Sequence, residues 1–314
     1  MSKNNILVLL PCLNESAALG RTILRVQQEI TSARIVVIDN GSTDDSVEVA
    51  NGLNVQVVHQ PLKGKGNAFR TGLNFLEKED LAVLMIDSDD AYGLENVHVA
   101  IEAIKERGYD MVVGTRKTYA TDSSVLGEPF RLGHVLGNKA LSALGQILHP
   151  AGIEDTLSGW RVFSPRFLKS FPGGSSGFEI EAELNAHAYL INSPVMNVEV
   201  SYRGRAEGSS SKLNTYRDGF RILKTSLRFF RNDRPQLAFT LFSIPWLVGS
   251  SYFTYRAVIG YLRSGLVAQF PSLIAGTGAF VVSSLLFVTG MILERIKQVR
   301  VINAKYAYRN FEAK

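Results

Sequence analysis

Three carboxylates fall within four positions of "LMIDSDDAYG" (84–93): Asp87, Asp89 and Asp90, directly after an apolar run. Like charges set this close repel one another unless something positive sits among them. A hard divalent cation answers that need, since Mg²⁺ and Mn²⁺ take one or two carboxylates together with substrate phosphates. A solvated turn with helix-capping aspartates fits the same residues. A second stretch, "KGKGNAFR" (63–70), spaces Lys63 and Lys65 with glycines at the start of a helical pattern. Its backbone amides and lysines are suited to cradle phosphates, with a solvated basic turn as the alternative.

The elements that must position these groups alternate along residues 1–212. "NILVLLP", "ARIVVIDNG", "VQVVHQ", "LAVLMIDSD" and "DMVVGTR" read as strands, and helical patterns separate them. Short, continuously apolar strands between helices predict a mostly parallel sheet covered on both faces, an α/β fold. Ligands of such open sheets gather at the carboxyl ends of the strands. Polar residues collect there three times: Pro11 to Glu15 after the first strand, Asp39 to Ser42 after the second, and Asp87 to Asp90 after the fourth.

Composition limits the rest. The chain has 314 residues, 46% apolar and 20% charged, enough for a sizeable core. A single cysteine, Cys12, excludes an internal disulfide framework and a cysteine-rich zinc site. "NNILVLL" meets Pro11 and Asn14–Glu15 after seven residues, and so reads as a first strand rather than a leader. Residues 237–255 and 270–293 carry no charge over 19 and 24 positions. Each is long enough to cross a hydrocarbon core of about 30 Å as a helix. Before them, Arg217, Arg221, Lys224, Arg228, Arg231 and Arg234 recur every three or four residues, as on one side of an interfacial helix. Basic residues flank both ends of the apolar pair, whereas the loop between offers Arg256 and Arg263. The positive-inside rule then places both ends and the large domain in the cytoplasm. The adjoining apolar segments account for the basic stripe better than nucleic-acid binding does.

Taken together, "PCLNE", "VVIDNGSTDDS", "KGKGNAFRTGL" and "IDSDD" resemble the family 2 glycosyltransferases of the GT-A fold over residues 4–212. "EDTLSGWRVFS" (154–164), "SGFEIEAELNAHA" (176–188) and "SSSKLNTYRDG" (209–219) look like the polyprenyl-phosphate branch of that family. The resemblance implies a GT-A domain over 1–212, and the charge pattern adds a juxtamembrane amphipathic region over 213–235, a transmembrane hairpin over 236–294 and a basic tail over 295–314. It implies an integral membrane enzyme, most simply of a bacterial inner membrane. Such an enzyme passes one sugar from a nucleotide sugar to polyprenyl phosphate, with Mg²⁺ or Mn²⁺ as cofactor. UDP-glucose is the first choice of donor by analogy and GDP-mannose the alternative. A non-catalytic sugar-nucleotide-binding partner is the competing class, and self-association is left open.

The resemblance also assigns residues. Pro11, Asn14 and Glu15 match the first-strand motif beside the nucleotide, and Asp39 the carboxylate that accepts from the donor's base. Asn40 stands where relatives often carry a second aspartate. Asp87 and Asp89 match the D-x-D pair, with Asp89 the more direct metal ligand and Asp90 a candidate to complete the coordination. Asp155 and Arg161 match a D-x5-R pattern near the reacting phosphate and sugar. Lys212, with Arg203 or Arg205, is expected on the acceptor phosphate. The five histidines show no metal-ligand spacing and receive no role.

Overall fold

The computed structural model describes residues 5–117, 152–177, 179–203, 231, 234–266 and 269–310. Two compact units emerge: Met1–Thr215 together with Ala304–Lys314, and Tyr216–Asn303. The first contains β1 (Asn5–Cys12), α1 (Ser16–Glu29), β2 (Ala33–Asp39), α2 (Ser46–Gly52), β3 (Gln56–His59), α3 (Lys65–Leu73) and β4 (Asp80–Met85). It continues with α4 (Val97–Lys105), β5 (Met111–Lys117), β6 (Arg161–Phe163), α5 (Pro165–Ser170), α6 (Ile180–Ile191) and β7 (Val195–Ser201).

These strands form one sheet in the order β3-β2-β1-β4-β6-β5-β7. The first four are parallel, β6 runs antiparallel between β4 and β5, and β7 lies parallel to β5. β1 explains why the strands read as unbroken apolar runs. Its Ile6, Val8 and Leu10 join the core under α1, α2 and α4, while Leu7 and Leu9 join the core under α3, α5 and α6. Both faces are covered, so neither alternates with polar residues. The sequence reading finds five strands, and the structure adds β6 and β7. Three residues are too few to show a period, and β6 hides its arginine in the interior (Arg161, 0% exposed).

His187 on α6 has a structural place. Its ring sits edge-on to Phe167 and Phe171, at 5.0 and 5.4 Å, with Nε2 2.8 Å from Ser170 Oγ. Burial lowers its pKa from 6.5 to about 4. The unfolded chain therefore takes up a proton that the folded chain refuses across that window. Stability is complete above it and falls as pH drops through it, by about 2 kcal/mol between pH 7 and pH 5. Urea unfolding of the wild type at the two pH values should show this loss, and His187→Gln should remove most of it.

The second unit is built on two long helices, α7 (Pro235–Ser264) and α8 (Phe270–Arg309). Both are long and apolar enough to cross a membrane. Small buried residues recur every seven positions on both: Ser243, Ser250 and Ala257 on α7, after Pro235 and Ala238 at its start, and Gly276, Ser283 and Gly290 on α8. Ser283 Oγ donates to the Ser243 carbonyl at 3.1 Å. Small residues at this spacing let two backbones approach closely. Large side chains such as Phe242, Trp246, Leu262 and Leu285 stay exposed. The interfacial helix expected over 213–235 lies outside the described residues except Arg231, Arg234 and Pro235, as do Arg205 and Lys212. The expected 295–314 tail is helical as far as Arg309, and Ala304–Lys314 belongs to the first unit. There the Tyr308 hydroxyl donates to Asp110 Oδ2 at 2.5 Å, under the Arg166 guanidinium.

Candidate active site

Chemistry-bearing residues collect at the carboxyl ends of β1, β2 and β4. Asn14, in the left-handed region at φ 55°, joins the first two ends. Its amide donates to Ser42 Oγ at 3.0 Å and its Oδ1 accepts from the Thr43 amide at 2.7 Å. The Glu15 amide donates to Ser46 Oγ, and the Pro11 carbonyl accepts from Ser88 Oγ, both at 2.9 Å. Asp39 accepts from the Ser42 amide and from His59 Nδ1, each at 2.9 Å. Burial raises its pKa, but the bonds from Ser42 and His59 outweigh this and hold it below the usual carboxylate value.

Asn40 is a strut. Its Nδ2 donates to the carbonyls of Gln60 and Leu62 at 3.0 and 2.8 Å, and its Oδ1 accepts from the Gly64 amide. An aspartate could not donate the first two bonds. The glycine-spaced loop packs against the 175–177 backbone, which takes up two amides of the expected phosphate cradle. The Gly66 and Asn67 amides, at the N-terminus of α3, donate to the carbonyls of Gly177 and Ser176 at 3.1 Å. A Cβ at Gly64 or Gly66 would fall 2.1 or 2.3 Å from the Ser176 or Ser175 carbonyl oxygen. Lys63 stays exposed. The Lys65 side chain is 9% exposed, with Nζ 2.5 Å from Asp87 Oδ1 and 2.6 Å from Glu181 Oε1.

The carboxylates of Asp87, Asp89 and Asp90 therefore have separate environments. Asp87 pairs with Lys65. Asp90, at φ 58°, meets Arg21 Nε at 3.1 Å and Arg25 Nη1 at 2.9 Å on α1. Asp89 is 8% exposed, and its Oδ1 accepts from the Ala91 amide at 3.2 Å. Two expectations change as a result. Protein cations already relieve much of the repulsion, and Asp90 is turned to α1 rather than offered as a metal ligand. Asp87 and Asp89 remain a hard oxygen pair of the type Mg²⁺ and Mn²⁺ accept. Among the described residues no three His, Cys, Asp or Glu form a metal-binding group, so substrate oxygens or water must complete such a site.

Beyond β4 the edge becomes cationic. Arg116, at the end of β5, grips Asp155 with Nε and Nη2 at 2.6 and 2.9 Å. Its guanidinium lies 5.4 Å from the Tyr202 ring centroid, and Tyr202 meets Tyr92 edge-on at 5.2 Å. The Tyr92 hydroxyl accepts from the Gly159 amide at 3.0 Å. Gly159 is tight against the acidic end, since a Cβ there would lie 2.1 Å from Asp87 Oδ2. Arg203 is exposed, and its amide donates to the Ala91 carbonyl beside the aspartates at 3.0 Å.

Residues 7–149 match the glycosyl transferase family 2 domain. An uncharacterized protein of Shigella flexneri is 40% identical over 137 residues, which cover 44% of this chain and 84% of that one. The chain belongs to glycosyl transferase family 2. A dolichyl-phosphate hexose transferase of Haloferax volcanii is 26% identical over 74% of this chain and 97% of its own. Among solved structures, glucosyl-3-phosphoglycerate synthase of Mycobacterium tuberculosis with Mn²⁺, UDP and glucosyl-3-phosphoglycerate aligns with a TM-score of 0.56 at 21% identity. That alignment covers 73% of this chain and 80% of the synthase, and it shows a shared fold.

In this transferase the D-x5-R residues do not pair. Asp155 is held by Arg116, while Arg161 lies inside the domain at 0% exposure. Arg161 donates to the carbonyls of Ser158 and Thr156 at 3.0 Å and to Asn185 Oδ1 at 2.5 Å. Burial lowers its pKa to about 10, so it remains charged at neutral pH. That corrects its expected place on a reacting phosphate: the guanidinium braces the turn between Asp155 and β6. The sequence reading passes over Arg116, Glu181 and Tyr92. Arg116 was within reach, since it ends the predicted strand "DMVVGTR" at the edge where ligands gather.

Proposed function

We propose that this transferase moves a single hexose from a nucleotide sugar to a polyprenyl phosphate at a membrane surface. The observation that carries the reading is one sheet edge with carboxylates at one end and a half-exposed, carboxylate-gripped Arg116 at the other. The same chain supplies two helices able to enter a bilayer. The name of the Haloferax relative, a dolichyl-phosphate hexose transferase, supports the acceptor class. UDP-glucose is the donor to try first. The basic residues that flank both ends of the apolar pair support a hairpin whose two ends lie on the cytoplasmic side.

The residues divide the work by charge. Asp39 and the loop stitched by Asn14 receive the nucleoside, and exposed Lys63 lies within the segment that approaches its phosphates. Asp89 and Asp87 would hold a divalent cation, which when bound neutralises the leaving diphosphate. A lipid monophosphate is already an anion near neutral pH, so a strong general base is unnecessary. It needs positioning. Arg116, oriented by Asp155, and Arg203 supply planar donors for that phosphate, with Lys212 and Arg205 as further cations from the sequence.

Arg116→Gln tests this division. The KM for polyprenyl phosphate should rise by about tenfold or more, the effect of a lost charge-assisted bond, while nucleotide-sugar affinity stays within about twofold of wild type. Equal losses for donor and acceptor would show Arg116 to be structural.

A further inference from the structure

Lys65 bonds two carboxylates from different parts of the fold. Asp87 lies just beyond β4 and keeps 29% of its side chain exposed, whereas Glu181 in the first turn of α6 keeps 4%. Glu181 uses only Oε1 on the lysine, and its Oε2 is buried without a hydrogen-bond partner. An unmet buried acceptor is destabilising, and an ammonium with three donors can reach a second oxygen of a carboxylate it already touches.

We propose that Lys65 is a tethered counter-ion that competes with a divalent cation for Asp87 and passes to Glu181 when that cation binds. The proposal rests on the reading above that Asp87 and Asp89 hold the metal. Without metal, the ammonium cancels the charge of Asp87 and relieves its repulsion with Asp89. With metal, the lysine and the cation repel one another across a single carboxylate. Glu181 then takes the lysine on both oxygens, and Oε2 gains the bond it lacks. Glu181 is thus a positioning residue for the site, acting through Lys65.

Mn²⁺ alone, titrated into the purified full chain and followed by the electron paramagnetic resonance of free Mn²⁺, tests the exchange. Lys65→Gln should tighten Mn²⁺ binding by about fivefold or more, and Glu181→Gln should weaken it by a similar factor. In the double variant Glu181→Gln should add less than about a twofold change, because its effect needs the lysine. Independent, additive effects would reduce the pair to a general electrostatic field and overturn the exchange. Should Lys65→Gln fail to fold, Lys65→Met takes its place in the same cycle with the same expectations: tighter Mn²⁺ binding and a muted Glu181→Gln effect support the exchange, and additive effects overturn it. Absence of Mn²⁺ binding in the wild type, or binding that survives Asp89→Asn, would defeat the metal assignment and the exchange together. Binding lost in Asp89→Asn, with additive effects at Lys65 and Glu181, would defeat the exchange alone.

Discussion

Asp89→Asn should lower transfer by a factor of about 100 to 1000, the range typical of losing one charge-stabilising group, with little change in thermal stability. At the end of β4, Asp87 meets Lys65, and Asp90 meets Arg21 and Arg25. Asp89 is buried at the same strand end and accepts from the Ala91 amide, a bond that the isosteric asparagine can keep through its carbonyl oxygen. The substitution removes charge while preserving shape. Asp90→Asn should instead cost more stability and less turnover, because Asp90 is paired with Arg21 and Arg25 on α1. Turnover measured at saturating donor, beside an unfolding curve for each variant, checks both. Near wild-type turnover in Asp89→Asn, or in excess chelator, would remove the metal from the reaction.

Arg161→Met should destabilise the fold by about 3 kcal/mol or more, since each buried acceptor left without its donor costs about 1–3 kcal/mol. Its guanidinium is wholly buried and donates to two carbonyls and to Asn185. Methionine fills much of the volume but leaves those acceptors without donors. Lysine should rescue little, because a point charge cannot reproduce the planar fork that spans Ser158, Thr156 and Asn185. A fall in the unfolding midpoint of about 10 °C or more is expected for a domain of this size. Loss of activity with an unchanged midpoint would instead restore Arg161 to the substrate.

What the sequence revealed follows from the range of each signal. Strands buried on both faces leave unbroken apolar runs, and polar residues at their ends stand out, so β1, β2, β4 and the edge they share were legible. The two long helices were legible from their charge-free lengths. Ionic partnerships were not, because they join distant positions: Lys65 and Glu181 are 116 residues apart, and Arg116 and Asp155 are 39 apart. For that reason Asp90 resembled a metal ligand until Arg21 and Arg25 appeared beside it, and the D-x5-R spacing gave no sign that Asp155 is held by Arg116. The glycines of "KGKG" misled for a related reason. Close approach to the 175–177 backbone and close approach to a phosphate both require a missing Cβ, and the sequence holds the same letters for either.

Sugar transfer to a lipid phosphate can be read in a partition assay. The full-length protein in detergent is given Mn²⁺, undecaprenyl phosphate and, in separate reactions, radiolabelled UDP-glucose, UDP-galactose, UDP-N-acetylglucosamine and GDP-mannose. From at least one donor, label should enter the organic phase as a mild-acid-labile lipid carrying a single sugar, and Asp89→Asn should abolish it. If no donor labels the lipid phosphate while one labels a water-soluble sugar acceptor, the polyprenyl-phosphate assignment is wrong.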